Sequence, residues 1–326
     1  MLGKIRNYFA NGNTSKGFHS LVKSNIEGMK NVYILKGSPG TGKTTIIKKI
    51  AKNCINKGID VEIMHCSSDN DALCGIVLPK LEFALVNDCE QIDIEDVAAE
   101  KIEYIDLDVA LDKQAIEGKQ KEIEELTKQK QEACSKAYKA FADALKVHDE
   151  WEEIFITNMD FDKANDITLK IEQEFYGNKT ANKKSFVRHR FLGAATPEGA
   201  VDYIDNLTSD IGKRYFIKGR PGSGKSTLLK KLVESGEKRG YDVEVYHCGF
   251  DPDSLDMVIV RELDLSIFDS TAPHEYYPKR DTDEIIDMYK LTISSDTDEK
   301  FAEDIKNITA RYKEKIREGT AYLAEA

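Results

Sequence analysis

The sequence predicts an α/β protein in which one unit is used twice, with a helical insertion between the two uses. Three observations carry this. Sliding the 326-residue chain by 182 positions lays Tyr33–Cys66 on Tyr215–Cys248 without a gap, and 16 of those 34 positions are identical. Such a repeat outranks any local reading of elements. Within each copy, short apolar runs alternate with amphipathic stretches, the pattern of a parallel, doubly wound sheet. Between the copies, from about Asp112 to Glu174, the composition turns to Ala, Glu, Lys and Gln and contains no proline.

In chain order, Asn31–Lys36 and Lys213–Lys218 are short apolar runs and predict first strands. Glycine-rich turns follow. Helices are then expected from Lys43 to about Asn56 and from Lys225 to about Lys238, with Ile46, Ile47 and Ile50 matched by Leu228, Leu229 and Leu232. Gly58 and Gly240 stand where a helix C-cap wants a left-handed residue. Asp60–His65 and Asp242–His247 predict second strands, Phe83–Val86 and Leu265–Phe268 third strands. The insertion carries a heptad from Ile116, Lys119, Ile123, Leu126, Lys130, Ala133, Ala137, Ala140, Ala144, Val147, Trp151 and Ile154. Ten of these twelve are apolar, which predicts one narrow coiled-coil-like seam. A turn is expected over 158–166, a shorter returning helix over Ile167–Phe175, and a polar linker over 177–185. At the C-terminus Ile305, Ile308, Tyr312, Ile316 and Tyr322 recur at helical spacing, echoing the first part of the insertion. The expected units are 1–111 and 183–297, with the helical arm and linker at 112–182 and a shorter arm-like helix at 298–326.

Composition narrows the function classes. Charged residues make up 32% and hydrophobic ones 40%, too apolar for a disordered chain. The net charge of −11 argues against a nonspecific nucleic-acid coat. No run approaches the roughly 20 apolar residues of a membrane span. Six cysteines (Cys54, Cys66, Cys74, Cys89, Cys134 and Cys248) without a CxxC pair read as reduced thiols of a cytoplasmic protein.

The chemistry lies in the glycine-rich turns. Gly37, Ser38, Pro39, Gly40, Thr41, Gly42, Lys43 and Thr44, followed by Thr45, satisfy G-x-x-x-x-G-K-[ST]. So do Gly219, Arg220, Pro221, Gly222, Ser223, Gly224, Lys225 and Ser226, followed by Thr227. Glycines let backbone amides surround phosphate, and the following helix aims its positive end at the same anion. Lys43 and Lys225 reach the β and γ phosphates, and Thr44 and Ser226 ligate Mg²⁺. A second Mg²⁺ acid is expected at the end of a buried strand. Asp269 fills that place in copy two, whereas copy one presents Asn87, with Asp88 one position out of phase.

Both copies carry His-Cys after the second strand, His65-Cys66 and His247-Cys248. Acids follow at Asp69, Asp71, Asp251 and Asp253, and copy two adds His274. Three readings stand: a proton-transfer or substrate cluster, a zinc site from His247, Cys248 and His274, or packing under the loop. Neighbouring strand residues face opposite ways, which disfavours a shared metal. Arg188, His189 and Arg190 form a basic patch, read either as solvated linker charge or as the source of an arginine for a phosphate. Trp151 is read as a seam residue.

On Arg188–Phe191, Ala195–Gly199, Tyr215–Thr227, His247–Asp256 and Phe268–His274, the chain resembles a poorly characterised family of bacterial tandem P-loop proteins described as ATP-binding or ATPase-like. The likeness spans nearly the whole chain and is looser in copy one after Leu81. It implies two P-loop NTPase domains and ATP binding. Residues and resemblance together lead to a cytoplasmic, Mg-ATP-binding NTPase that hydrolyses mainly at the second site and couples to arm or domain motion. The alternatives are a small-molecule kinase, and a nucleotide-responsive interaction protein with negligible hydrolysis. Expected partners are nucleotide and, through the arm, another protein or a second copy, with neither membrane nor nucleic acid.

Overall fold

A computed structural model describes residues 2–88 and 97–326. The first half runs β1 (Ile5–Phe9), β2 (Asn11–Thr14), β3 (Gly17–Ser20), α1 (Val22–Ile26), β4 (Asn31–Lys36), α2 (Lys43–Asn56), β5 (Val61–His65), β6 (Leu73–Leu78), β7 (Phe83–Asn87), β8 (Lys101–Asp106), α3 (Lys113–Glu117), α4 (Gln120–Ile156) and α5 (Phe161–Tyr176). The second runs β9 (Val187–Phe191), β10 (Gly193–Thr196), β11 (Gly199–Asp202), α6 (Ile204–Leu207), β12 (Lys213–Lys218), α7 (Lys225–Lys238), β13 (Val243–His247), β14 (Leu255–Val260), β15 (Leu265–Asp269), β16 (Glu284–Asp287), α8 (Met288–Thr292), α9 (Thr297–Lys300) and α10 (Ala302–Glu325). The element order recurs at the 182 offset from β1/β9 through the start of α4/α10.

Two separate parallel sheets were expected, and the structure corrects this. Twelve strands form one mixed α/β sheet, in the order β16-β12-β15-β14-β13-β9-β1-β5-β6-β7-β4-β8. Six pairings are parallel and five antiparallel. The antiparallel character comes from β6 and β14, which lie between the second and third strands of each half. LCGIVL and LDMVIV are buried along their whole length, so they show no alternation to mark them as strands. The other antiparallel pairing joins the halves, where Phe9 of β1 faces its own counterpart, Phe191 of β9. A residue paired with its own counterpart marks a pseudo-two-fold, and the contacts around it are reciprocal. Ser24 Oγ accepts from the His189 amide at 2.9 Å, and Asn206 Oδ1 accepts from the Asn7 amide at 2.7 Å.

The joint is polar at its centre. Arg190 is fully buried, so the basic patch is no solvated linker. Its guanidinium donates to Glu62 Oε2 at 2.6 Å and to Asn25 Oδ1 at 2.8 Å, and it lies 4.2 Å from the centroid of the Tyr8 ring. Burial pushes the Glu244 carboxyl up, but Arg190 and Arg261 outweigh it and hold the group at about 2. The apolar core also crosses the joint, with Tyr8, Ile34 and Val86 in one cluster with Tyr246, Met257 and Phe268.

The arm finds its partner in the C-terminal helix. α4 and α10 run antiparallel, with Lys136 over the Tyr322 ring at 5.5 Å and Arg311 bonded to Glu150 at 3.2 Å. Ala133, Ala137, Ala140 and Ala144 are buried in this seam. A Cβ at Gly319 would lie 2.4 Å from the Phe141 ring, so that glycine is the socket for Phe141. The N-terminal part of the seam departs from expectation. Residues 120–132 are all exposed, with Ile123 at 47% and Leu126 at 57%, because no helix reaches them. The returning helix α5 turns away from α4 and buries Ile171, Phe175 and Tyr176 against the second half's sheet and α7. Asp160 caps it by accepting from the Lys163 amide. Among the described residues no helix is long and apolar enough to cross a membrane, and Cys54, Cys66 and Cys248 are free thiols. Cys89 lies outside the described residues.

Candidate functional site

Both glycine loops leave the C-terminal end of a buried strand and enter a helix. The turn is possible because its glycines take left-handed backbone, with φ of +83° and +89° at Gly40 and Gly42 and +73° and +84° at Gly222 and Gly224. Neither α2 nor α7 has a side-chain cap or an acid in its first turn. The N-terminal amides of both helices are therefore available to an anion. In the first loop Lys43 Nζ folds back on the carbonyls of Gly37 and Ser38, the latter at 3.0 Å. In the second, Lys225 Nζ donates to Arg220 O at 2.9 Å and Gly219 O at 3.3 Å. Ser226 Oγ accepts from the Leu255 amide at 2.9 Å, and Thr44 Oγ1 from the Leu73 amide at 3.4 Å.

Around the second loop the fold gathers titratable groups. β15 lies beside β12, so Asp269 ends within 3.5 Å of Lys225 Nζ. Asp269 Oδ1 also accepts from the Thr271 amide and hydroxyl at 3.0 and 2.6 Å, which fixes its orientation. Asp256 on β14 is only 9% exposed. Burial first, then the charge of Asp269, pushes its carboxyl up to about 6. His274 Nδ1 is hydrogen-bonded to Asp202 Oδ2 at 2.8 Å, and Tyr276 donates to Asp202 Oδ1 at 2.7 Å. Burial works against the His274 imidazolium, but the charges of Asp202, Asp256 and Asp269 outweigh it and raise the ring's pKa. With Nδ1 turned to Asp202, Nε2 is the nitrogen left to face a reactant.

The first loop has neutral groups at most of these places. Asn87 stands for Asp269 and Cys74 for Asp256. The Asn87 Oδ1 is buried without a hydrogen-bond partner. Asp88 is exposed and lies past the end of β7. Asp108 Oδ1 accepts from the Ser38 amide at 2.7 Å, so a carboxylate holds the first loop's outer edge. In the second loop the residue at the same place, Arg220, is likewise held by a carboxylate, Asp298, at 3.1 Å. The counterpart of His274 falls at 92, outside the described residues.

His247 is not brought to this group. Its Nδ1 lies 2.6 Å from Pro252 O and its Nε2 2.9 Å from His189 Nδ1, so both ring nitrogens are occupied. Burial pushes its imidazole down to about 4. His65 has the same construction, with Nε2 2.9 Å from Asn7 Oδ1. Packing is thus the reading these histidines satisfy. Cys248 is half-buried beside Asp256, and desolvation pushes its thiol up. A zinc site would need His247, Cys248 and His274 to converge, and His247 has no nitrogen free for it.

Compared with known proteins, the chain matches no family model, no curated protein and no solved structure. Asp256 and Asp202 are the site groups that sequence reasoning passed over. An acid inside the otherwise apolar run LDMVIV was a signal for Asp256, since a carboxylate is seldom buried without a task. Asp202 had none, because 72 residues separate it from His274 and only the fold brings them together.

Proposed function

We propose that this chain is a Mg-ATP-binding NTPase of two P-loop units, with hydrolysis at the second loop. The observation that carries the reading is the convergence of Lys225, Ser226 and Asp269 at the mouth of a glycine loop whose helix amides are uncapped. The donor set fits the ligand. A hydroxyl and a carboxylate suit Mg²⁺, and an ammonium with backbone amides suits phosphate oxygens. Bound Mg²⁺ would supply charge neutralisation at the β and γ phosphates. Gly222 to Ser226 would cradle the phosphates, Lys225 would leave Asp269 for the γ oxygens, and Asp269 with Ser226 would face the metal. His274, steadied by Asp202, would accept the proton of the attacking water as the bond between γ-phosphorus and its bridging oxygen breaks. The first loop would bind nucleotide and turn it over slowly, because an amide is a poorer metal ligand than a carboxylate. The test is steady-state phosphate release with Mg-ATP. Wild-type release that survives Lys225→Ala and Asp269→Asn unchanged would rule the reading out.

A small-molecule kinase is the second reading, favoured by the same Asp202–His274 pair, which could equally deprotonate an acceptor hydroxyl. Release of free phosphate without added metabolites would exclude it as the sole activity. The negatively charged chain and the location expected from its free thiols suit a cytoplasmic role.

A further inference from the structure

The second glycine loop is walled by an element of the first half. Gly222 lies against the last turns of α4. A Cβ built on it would fall 2.6 Å from the carbonyl oxygen of Glu152 and 3.0 Å from its Cα. A Cβ on Gly224 would meet Met159, just past the end of α4, at 3.8 Å. The corresponding glycines of the first loop, Gly40 and Gly42, would meet no atom of the described residues within 4 Å.

One turn before Glu152 stands His148, half-buried, with Nδ1 3.8 Å from Glu152 Oε1. Its ring packs against Trp151 and Tyr312, with centroids at 6.4 and 5.7 Å. Tyr312 of α10 packs in turn on Phe250, which follows β13. Burial depresses the His148 imidazole, and the ammonium of Lys225 adds to this, while Glu152, Asp149 and Asp251 oppose it. His148 stands one turn from Glu152 on the same face of α4, the face whose backbone meets Gly222 of the second loop.

We propose that α4 completes the second site, with His148 facing the terminal phosphate of a nucleoside triphosphate and Glu152 seated on Gly222, so that occupancy is transmitted to the α4–α10 pair. The proposal rests on reading the second loop as a phosphate site. A triphosphate beside Lys225 adds net negative charge, which draws an N–H of His148 towards it. The loop cannot rearrange around phosphate without moving against the backbone of Glu152. α4 is thereby the connection through which the second site reaches the first half.

Trp151 is the only tryptophan in the chain and adjoins Glu152 in α4, so its emission reports this contact. The experiment titrates the full chain with Mg²⁺ and a slowly hydrolysed ATP analogue, following heat and Trp151 emission together. An emission shift that saturates with the second-site heat and disappears in Lys225→Ala is expected. His148→Ala should weaken the second site about tenfold, as for loss of one hydrogen bond to a charged group. His148→Gln, which keeps an N–H donor, should recover part of that loss at an unchanged melting temperature. Second-site heat with a silent Trp151 and a neutral His148→Ala would overturn the proposal and leave the nucleotide site standing. Absence of any heat dependent on Lys225 would overturn both. If His148→Ala fails to fold, the wild-type emission and His148→Gln decide alone.

Discussion

The two glycine loops are copies of one object in different surroundings. Their strands, the left-handed pairs Gly40/Gly222 and Gly42/Gly224, and their lysine contacts match at the 182 offset. The groups around them do not. The second loop has Asp269, Asp256 and the His274–Asp202 pair beside it and α4 behind it. The first has Asn87 and Cys74, and no described residue within 4 Å of a Cβ at Gly40 or Gly42. The repeat preserves what the backbone of the turn needs and differs in the side chains around it, as expected where chemistry resides in side chains carried by a shared scaffold.

The comparison first requires that the halves form one body, and the joint at Arg190 is where to break it. Arg190→Ala removes the cation nearest to buried Glu62, leaving it Tyr8 at 3.3 Å and the more distant Arg6 at 3.8 Å, and breaking a buried pair costs about 3–5 kcal/mol. Urea denaturation should show the loss. A change under about 1 kcal/mol would mean that solvent reaches the joint and that each half stands alone. The same joint sets an acid limit. Glu244 is held at about 2 in the folded state, against about 4.3 for an ordinary glutamate. Its contribution is fully present above the ordinary value and is lost as pH falls from about 4.3 towards 2. Acid titration of wild type should therefore lose stability in that window, and Glu244→Gln should flatten the loss.

Turnover tests the proposed functional difference between the loops. Lys225→Ala and Asp269→Asn should each lower phosphate release by about 10²-fold or more, the scale on which a single charge-stabilising group counts. Lys43→Ala should leave a substantial fraction, and Asn87→Asp should raise the first loop's share. Equal losses from the two lysine variants, with binding at each loop measured separately, would dissolve the asymmetry.

The glycines test surroundings without touching charge. Gly40→Ala and Gly222→Ala both force a Cβ into left-handed backbone, which costs about 1–2 kcal/mol each. Only Gly222→Ala also drives that Cβ into the backbone of Glu152, and overpacking of this kind adds about 1–3 kcal/mol. Gly222→Ala should therefore melt lower than Gly40→Ala. Equal melting temperatures would mean that α4 does not bear on the second loop.

Much of the difference between the loops was legible from residue types alone. G-x-x-x-x-G-K-[ST] is a local code, so the spacing placed both turns, and aligning the copies exposed Asn87 against Asp269. Strand order was hidden, because it depends on pairings that no local pattern records. β6 and β14 are uniform apolar runs, and β1 (IRNYF) carries polar residues because Arg6 and Asn7 belong to a joint that only the second half completes. Arg190 read as linker charge for the same reason, since its partners Glu62 and Asn25 sit more than 120 residues away. The alanine seam was visible, whereas the choice of α10 over α5 as its partner lay in the fold.

The smallest expected effect concerns the two ends of α4. Its buried end is seated against α10, and its exposed end, 120–132, carries Ile123 and Leu126 into solvent. An apolar side chain already in water has little burial to lose. Ile123→Gln with Leu126→Gln should therefore change the melting free energy by no more than about 0.5 kcal/mol. Ala137→Glu, which forces a carboxylate into the packed seam, provides the contrast in the same measurement. Sedimentation sharpens the result, since the arm was expected to offer a surface for a second copy. If the double variant is neutral in stability and sedimentation, the exposed end is a solvated extension and the arm's work is confined to the α10 seam and the second loop. If the variant lowers both the melting temperature and the sedimentation coefficient, residues 120–132 are buried between copies in solution. The two ends of α4 would then differ only in which molecule covers them.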